Sequence, residues 1–328
     1  GTLLSWPHPD SDWGPFLEAA ERSYVALAGA LARCQPLHIL HRDPDHRRHI
    51  QGRLFRAGLL SPDLAFHQVP CDDTWIRDYG PVTVLEDDHP RLMDFRFNGW
   101  GGKQSAERDD GASARLHGLG ALGDAPLERR ELELEGGALD SDGAGTLLTT
   151  RRCLLARNPG MDEADYEAAL GDALGVSRVL WLAEGELSGD DTDGHVDMLA
   201  RFCTPRTLAY TASAGPGDPD HRALQALERE LEGLTDASGN PYRLVPLPRP
   251  RPIQDADGAP LPASYANFLV VNDAVLVPFY DDDADAVARG RIQACFPGRE
   301  VVGIPSRGLI LQYGSVHCAT MHLPRGAP

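Results

Sequence analysis

At 328 residues, with 42% hydrophobic and 24% charged positions, the chain is longer than a typical domain and can bury a large core. Thirty-one Lys and Arg against forty-nine Asp and Glu leave a net charge of −18, which argues against nucleic acid or an anionic membrane as partner and suits a cationic ligand. Six scattered cysteines without a Cys-x-x-Cys pair, no apolar run of about eighteen residues and no basic-then-apolar leader predict a reduced, cytoplasmic protein.

A short apolar strand at 2–4 and a Pro- and Asp-rich turn at 7–12 lead into a helical pattern over 13–34. Phe16, Leu17, Ala20, Tyr24, Leu27, Ala28 and Leu31 hold helical spacing there, with Asp12 as N-cap. A strand at 37–40, a helix at 45–57 and a strand at 64–69 complete a strand-helix-strand run. The cluster at 71–81 ends in Gly80-Pro81, and a hairpin follows (82–85 and 92–97) that runs into Asn98-Gly99-Trp100-Gly101-Gly102-Lys103. Taken alone, Arg77 beside Asp78 reads as a surface ion pair and Trp75 as a core aromatic.

The stretch 132–150 alternates and turns at Asp142-Gly143, which predicts a second hairpin. Glu135 stands before two glycines, where backbone can approach a ligand closely. A helix at 162–174 and a strand at 179–182 lead to a third hairpin, 196–202 with 207–211, turning at Thr204-Pro205-Arg206. The last third repeats the grammar: helix 221–234, strand 243–247, hairpin 267–271 with 274–279, helix 284–296 and strand 300–304. The Pro-rich stretch 246–262 reads as a long surface loop, and segments 309–313 and 315–322 finish the chain. Five strand-pair modules, four with a helix between, predict a cyclic or propeller-like α/β array in one domain, 1–328, with polar turns gathered at one mouth.

The chemistry concentrates at 189–199, where four carboxylates and His195 crowd a turn that enters an apolar segment. On extended chain, His195 and Asp197 point to one face while Val196 packs. A calcium loop is excluded by register, since with Gly194 as the loop glycine the first ligand position falls on Gly189 and the twelfth on Ala200. Cys318 shares the glycine-then-strand setting of Glu135, Asp78 and His195, whereas the other five cysteines read as small buried hydrophobes. A nucleophilic Cys318 must become a thiolate, and with so many carboxylates near it the cation that helps can be the substrate. A surplus of carboxylates would repel an oxyanion but binds a planar guanidinium bidentately, holding its central carbon against sulfur.

Trp75-Ile76-Arg77-Asp78-Tyr79-Gly80-Pro81, Phe97-Asn98-Gly99-Trp100-Gly101-Gly102-Lys103, Glu135-Gly136-Gly137, Gly194-His195-Val196-Asp197 and His317-Cys318-Ala319-Thr320, in this order, resemble the signature of agmatine deiminases. These belong to the bacterial peptidylarginine-deiminase-like branch of the guanidine-modifying (pentein) superfamily, and Leu4-Ser5-Trp6-Pro7-His8-Pro9-Asp10 resembles the family's opening. The resemblance implies a five-module α/β propeller that hydrolyses agmatine to N-carbamoylputrescine and ammonia with no metal or organic cofactor. It further implies Cys318 as nucleophile, His195 as general acid and base, and Asp78 and Asp197 as the guanidinium clamp. Glu135 would orient His195 or the guanidinium, and Trp75 and Trp100 would line the slot.

Agmatine's second cation calls for a further acid; Asp190, Asp191 and Asp193 are candidates, of which Asp191 is the expected one. Free arginine or a peptide's C-terminal arginine stays open because Arg77 and Lys103 lie near site motifs. A non-catalytic propeller scaffold is the alternative of another class, and a metal-dependent hydrolase using His195 and Asp197 a weaker one. The expected partner is a small cationic guanidine, and a homo-oligomer is allowed.

Overall fold

The computed structural model describes residues 1–61 and 64–323, so the last five residues of the expected 1–328 unit lie outside the described ones. The architecture is α/β with mixed sheets. Among the described residues five of six sheets share one pattern, an antiparallel pair extended by a strand parallel to its second member. They are Val82–Glu86, His89–Arg96 and Leu127–Glu133; Asp140–Ser141, Thr146–Thr150 and Arg178–Leu182; Ala200–Thr204, Thr207–Thr211 and Arg243–Leu247; and Leu269–Val270, Ala274–Phe279 and Glu300–Pro305. The fifth joins the two ends of the chain: Thr320–His322 runs antiparallel to Thr2–Ser5, which lies parallel to Leu37–His41, itself parallel to Leu64–Gln68.

Each parallel strand needs a crossover, and the sequence supplies helices with legible ends. Pro44–Arg56 starts with Asp43 accepting from the His46 amide and Pro44 at the first helical position. Glu163–Leu174 carries a reciprocal Asp162/Asp165 cap and stops at left-handed Gly175. His221–Gly233 buries Leu224, Leu227 and Leu231, one stripe of an otherwise polar helix. Strands covered on both faces are free of full charges and bury every residue, as in Leu37–His41, Thr146–Thr150 and Thr207–Thr211. Among the described residues no helix is long and apolar enough to cross a membrane.

Several expectations are corrected. The 13–34 helix opens as a 3-10 turn at Gly14–Phe16, with Trp13 before it, and becomes α-helical over Leu17–Ala32. Asp12 is therefore no cap. Residues 132–135 do not pair with 146–150; Leu127–Glu133 lies parallel to His89–Arg96 instead, and Asp140–Ser141 is the arm that pairs with Thr146–Thr150. The 196–202 strand starts only at Ala200, after a 3-10 turn over Val196–Met198. Ile310–Gln312 is likewise a 3-10 turn rather than strand, and of 315–322 only Thr320–His322 is strand. The Pro-rich stretch contains a small antiparallel pair, Ile253–Gln254 with Pro260–Leu261, and its Pro260 carbonyl packs where a Cβ on Gly189 would sit. Helix Arg151–Arg157 is absent from the sequence reading, its seven residues being too few to display a period.

Candidate active site

The turns that precede the strands converge on a cleft of about 550 Å³ lined by Trp75, Asp78, Trp100, Asp191, His195, Asp197 and Cys318, among others. Seven of the eight expected site residues meet there. Glu135, the eighth, sits one layer behind, its Oε2 3.6 Å from His195 Nε2.

The segment carrying Trp75 and Asp78 turns into the short helix Ile76–Tyr79, which delivers Asp78 at 4% exposure. One oxygen of Asp78 accepts from the Trp100 indole at 3.0 Å and the other from the Gly137 amide at 2.9 Å. Trp100 reaches that bond from a left-handed backbone position, φ 56° and ψ 49°, inside the glycine-rich turn. Trp75 leans on Trp13, ring centres 5.5 Å apart, and covers the place a Cβ on Gly314 would need. It is both the core aromatic and a wall of the cleft.

His195 and Asp197 share the cleft for a reason other than strand alternation. The 3-10 turn that starts after His195 bends the chain so that both residues face inward at 1% and 0% exposure. His195 Nδ1 faces Asp78 Oδ1 at 3.7 Å. Asp197 Oδ2 accepts from His317 Nδ1 at 2.7 Å and lies 3.6 Å from Cys318 Sγ. Among the described residues Asp197 Oδ1 and His195 Nε2 are buried with no hydrogen-bond partner, an expense native structures tolerate where a ligand is to supply the partner.

Cys318 is 7% exposed. Asn267 cradles it: its Nδ2 donates to Sγ at 3.1 Å, and its Oδ1 accepts the amides of His317 at 2.9 Å and Cys318 at 3.4 Å. Asn267 and His317 went unremarked in the sequence, where only the His317-Cys318 adjacency hinted at either.

The electrostatics are set by burial and by carboxylates close to one another. Burial raises the Asp78 carboxyl above its ordinary range, although His195 and the Trp100 and Gly137 bonds pull the other way. Burial likewise pushes Asp197 up to about 6. The Cys318 thiol is held well above its usual value, by burial first and then by Asp197 and Asp78. Burial would keep His195 neutral, but Asp78 leads the surrounding groups that outweigh it and hold its pKa well up. For Glu135, burial is outweighed by His195 and Arg157, so its carboxyl stays below the usual range. Burial, with Arg201 and Arg77, keeps His317 neutral, so its bond to Asp197 joins a neutral imidazole N–H to the carboxyl.

The basic residues near the motifs are engaged elsewhere. Arg77 is no surface ion-pair partner of Asp78: it is 8% exposed and bonds the His317 carbonyl, Met321 sulfur and His322 Nδ1. Lys103 bonds Asp193 Oδ2 at 2.8 Å and the Asp191 carbonyl. No arginine or lysine lines the cleft among the described residues. Of the three candidate acids, Asp190 and Asp191 line the cleft, while Asp193 is taken by Lys103 and by Arg157 at 2.7 Å.

Arg157 and Cys153 were also missed. Both come from the unpredicted helix, and the run Cys153-Leu154-Leu155-Ala156 closing on a lone arginine is the one signal that could have found them. Cys153, read as a small core hydrophobe, is indeed fully buried and does not line the cleft, yet its Sγ lies 3.6 Å from Glu135 Oε2.

The model of the Porphyromonas-type peptidyl-arginine deiminase family matches residues 1–324. An agmatine deiminase of Pseudomonas aeruginosa (strain LESB58) is 32% identical over 354 residues, covering 98% of this chain and 92% of its own. Among solved structures, a Porphyromonas gingivalis protein provisionally assigned as an arginine deiminase is 45% identical, covers 99% of this chain and 95% of its own, and superposes with a TM-score of 0.90. A C. jejuni agmatine deiminase solved with substrate bound is 30% identical, covers 100% of this chain and 94% of its own, and also has a TM-score of 0.90.

Proposed function

The chain belongs to the Porphyromonas-type peptidyl-arginine deiminase family, and from that membership we propose that it hydrolyses agmatine to N-carbamoylputrescine and ammonia through a covalent cysteine intermediate. The observation that carries the reading is one cleft in which Asp78, Asp197, His195 and Cys318 converge, rich in acids and lined by no basic side chain. Agmatine is a dication without a carboxylate. It matches that field at both ends, whereas an arginine carboxylate would need a positive partner.

In the proposed mechanism the guanidinium lies between Asp78 and Asp197, donating to oxygens that include the unpartnered Asp197 Oδ1. Its charge offsets the carboxylates that keep the Cys318 thiol protonated, so Sγ loses its proton as substrate arrives. The thiolate adds to the guanidinium carbon. His195 gives a proton to the departing nitrogen, ammonia leaves, and an S-alkylthiouronium remains. His195 then takes a proton from water, the hydroxide adds to the same carbon, the C–S bond breaks, and the thiolate and ureido product are released. Glu135 steadies His195 from behind, Trp75 and Trp100 wall the slot, and Asp191 at the mouth is the proposed partner of the distal ammonium.

Five sheets of one pattern support a five-module, pseudo-symmetric α/β propeller forming a single domain. The six cysteines, all unpaired, support a cytoplasmic setting.

A second reading, deimination of free arginine or of a peptide's C-terminal arginine, is favoured by the 45% identity to the Porphyromonas gingivalis protein. One experiment separates the two. Purified protein is given agmatine, free arginine or an arginine-ended peptide with chelator present, and ammonia and ureido product are followed. Turnover of agmatine alone is expected. Preference for arginine would move the assignment to the second reading, and silence on all three to a binding scaffold.

A further inference from the structure

Glu135, Cys153 and His195 place three different donor atoms against one another, all within 4.8 Å and all buried. Glu135 Oε2 lies 3.6 Å from His195 Nε2 and 3.6 Å from Cys153 Sγ. With two edges of 3.6 Å and the third no longer than 4.8 Å, a cation centred among the donors sits about 2.1 to 2.4 Å from each, within the reach of zinc to imidazole nitrogen, carboxylate oxygen and thiolate sulfur. His195 is 1% exposed, and the nitrogen it turns to this trio is the one with no hydrogen-bond partner among the described residues. The proposed chemistry uses Glu135 and His195 but gives Cys153 nothing to do, although this thiol is fully buried at the trio.

We propose that Glu135, Cys153 and His195 form an inhibitory site for a borderline-soft divalent cation, zinc, whose binding occupies His195 Nε2 and withdraws His195 from proton transfer. One thiolate, one imidazole and one carboxylate are donors of the kind zinc selects. On binding, the Cys153 S–H gives its proton to solvent and the sulfur pair goes to the metal; nothing is oxidised or reduced. Arg157 does not bar the ion, because it holds the other Glu135 oxygen, Oε1, at 2.5 Å and its charge is also matched by Asp193 at 2.7 Å. Asp78, 3.7 Å from the far nitrogen of His195, adds negative charge on the cleft side.

The effect on turnover rests on the deiminase reading; the binding itself does not, so both are measured. Chelator-free protein is titrated with zinc by calorimetry, and with cobalt while the thiolate-to-cobalt charge-transfer absorption is followed. The same protein is assayed for agmatine turnover over the zinc series. Wild type and Cys318→Ser are expected to bind one equivalent with the thiolate signal. Cys153→Ser should lose that equivalent, its affinity falling by more than about 100-fold, beyond what loss of an outer hydrogen-bond partner causes. Cys153→Ser should keep its basal turnover and become resistant to zinc, while wild type is inhibited and recovers on adding chelator. Cys153→Ala, which retains a small apolar side chain, serves if serine does not fold. A signal that survives in Cys153→Ser and Cys153→Ala but vanishes in Cys318→Ser would place the metal on the nucleophile and overturn the proposal. So would wild type that neither binds nor is inhibited. Should the protein prove inactive on agmatine, loss of the bound equivalent in the Cys153 variants still supports the site.

Discussion

Arg157 Nε donates to Glu135 Oε1 at 2.5 Å while the other oxygen of that carboxylate faces His195 Nε2 at 3.6 Å. The same guanidinium bonds Asp193 Oδ2 at 2.7 Å and the Thr192 carbonyl at 2.8 Å. Arg157 thus ties the orienting acid to the turn that carries His195. Its Nη1 also lies 3.2 Å from where a Cβ on Gly101 would stand, in the turn that carries Trp100. It does not itself line the cleft.

Arg157→Lys keeps a charge but cannot bond three acceptors at once. It is expected to lower kcat by about 10- to 100-fold with a smaller change in KM, and Arg157→Met by more. Glu135 lies below the ordinary carboxylate range because His195 and Arg157 together outweigh burial. Without the arginine its pKa rises, and the acid limb of kcat/KM moves to higher pH. A limb that stays put in both variants would reduce Arg157 to packing.

Cys318→Ala should abolish ammonia release, by at least about 1,000-fold, with thermal unfolding unchanged or slightly improved. In Cys153→Ser the same assay should stay within a few-fold of wild type, although Cys153 is nearer the Glu135 carboxylate. Ammonia release and circular dichroism on the two variants decide which thiol is the nucleophile; loss of activity only in the Cys153 variant would exchange their roles.

The residues that meet in the cleft could be read from the sequence because each sits in a short glycine-bearing turn, and such turns are local. The path of the chain between them was less legible. His195 and Asp197 were expected together as alternate residues of a strand, but it is the 3-10 turn at Val196–Met198 that turns both inward. Leu127–Glu133 was missed because five of its seven residues are charged and none is buried, so it shows no apolar strand pattern, and its partner His89–Arg96 is more than thirty residues earlier. Arg157, Asn267 and Cys153 were invisible for a third reason. Each acts through contacts far away in sequence, Arg157 with Asp193 and Asn267 with Cys318, and no periodicity records such a partner.

Asp197 links function to stability. Burial lifts its carboxyl from 3.8 to about 6, so the folded protein holds this proton more tightly than the unfolded chain. The sign follows: the cost of ionising it is absent well below pH 4, grows as pH climbs from about 4 to about 6, and is fully present above that. At pH 7 that cost is on the order of 1–3 kcal/mol. Asp197→Asn is therefore expected to raise Tm by a few degrees at pH 7, with the gain vanishing near pH 4, while turnover is lost. In wild type, kcat/KM should fall as pH drops through about 6. A variant destabilised at pH 7 would mean that the carboxylate earns its place through His317 rather than costing stability.

Asp191 tests where the distal ammonium sits. It lines the cleft but lies on its water-exposed rim, so a contact there is worth well under a buried ion pair. Asp191→Asn is expected to raise the KM for agmatine by about 3- to 10-fold with kcat little changed. A guanidine with an uncharged alkyl tail should show no difference between wild type and variant. An equal KM increase on both would point to a general disturbance of the turn, and no increase on either would leave Asp190 to be tried.

Gly137 offers a purely steric test. A Cβ built there would stand 2.6 Å from His195 Nδ1, 2.7 Å from Asp78 Oδ1 and 3.3 Å from Asp197 Oδ2, in contact with three of the groups proposed to act on the guanidinium. Its amide also donates to Asp78 at 2.9 Å, so the backbone cannot retreat without breaking that bond. These atoms belong to short side chains fixed at 4% exposure or less, and they have little room to give. Relieving the 2.6 and 2.7 Å contacts to ordinary van der Waals distance moves Asp78 and His195 by roughly 1 Å or a little less, and misplacement on that scale costs a reaction dearly. The expected result is at least about a 100-fold loss of kcat/KM for agmatine, with Cys318 still alkylated by a small neutral reagent because its Asn267 cradle is untouched. Near-normal turnover in Gly137→Ala would show that Asp78 and His195 need not hold their present spacing, and the proposed division of labour between them would have to be redrawn.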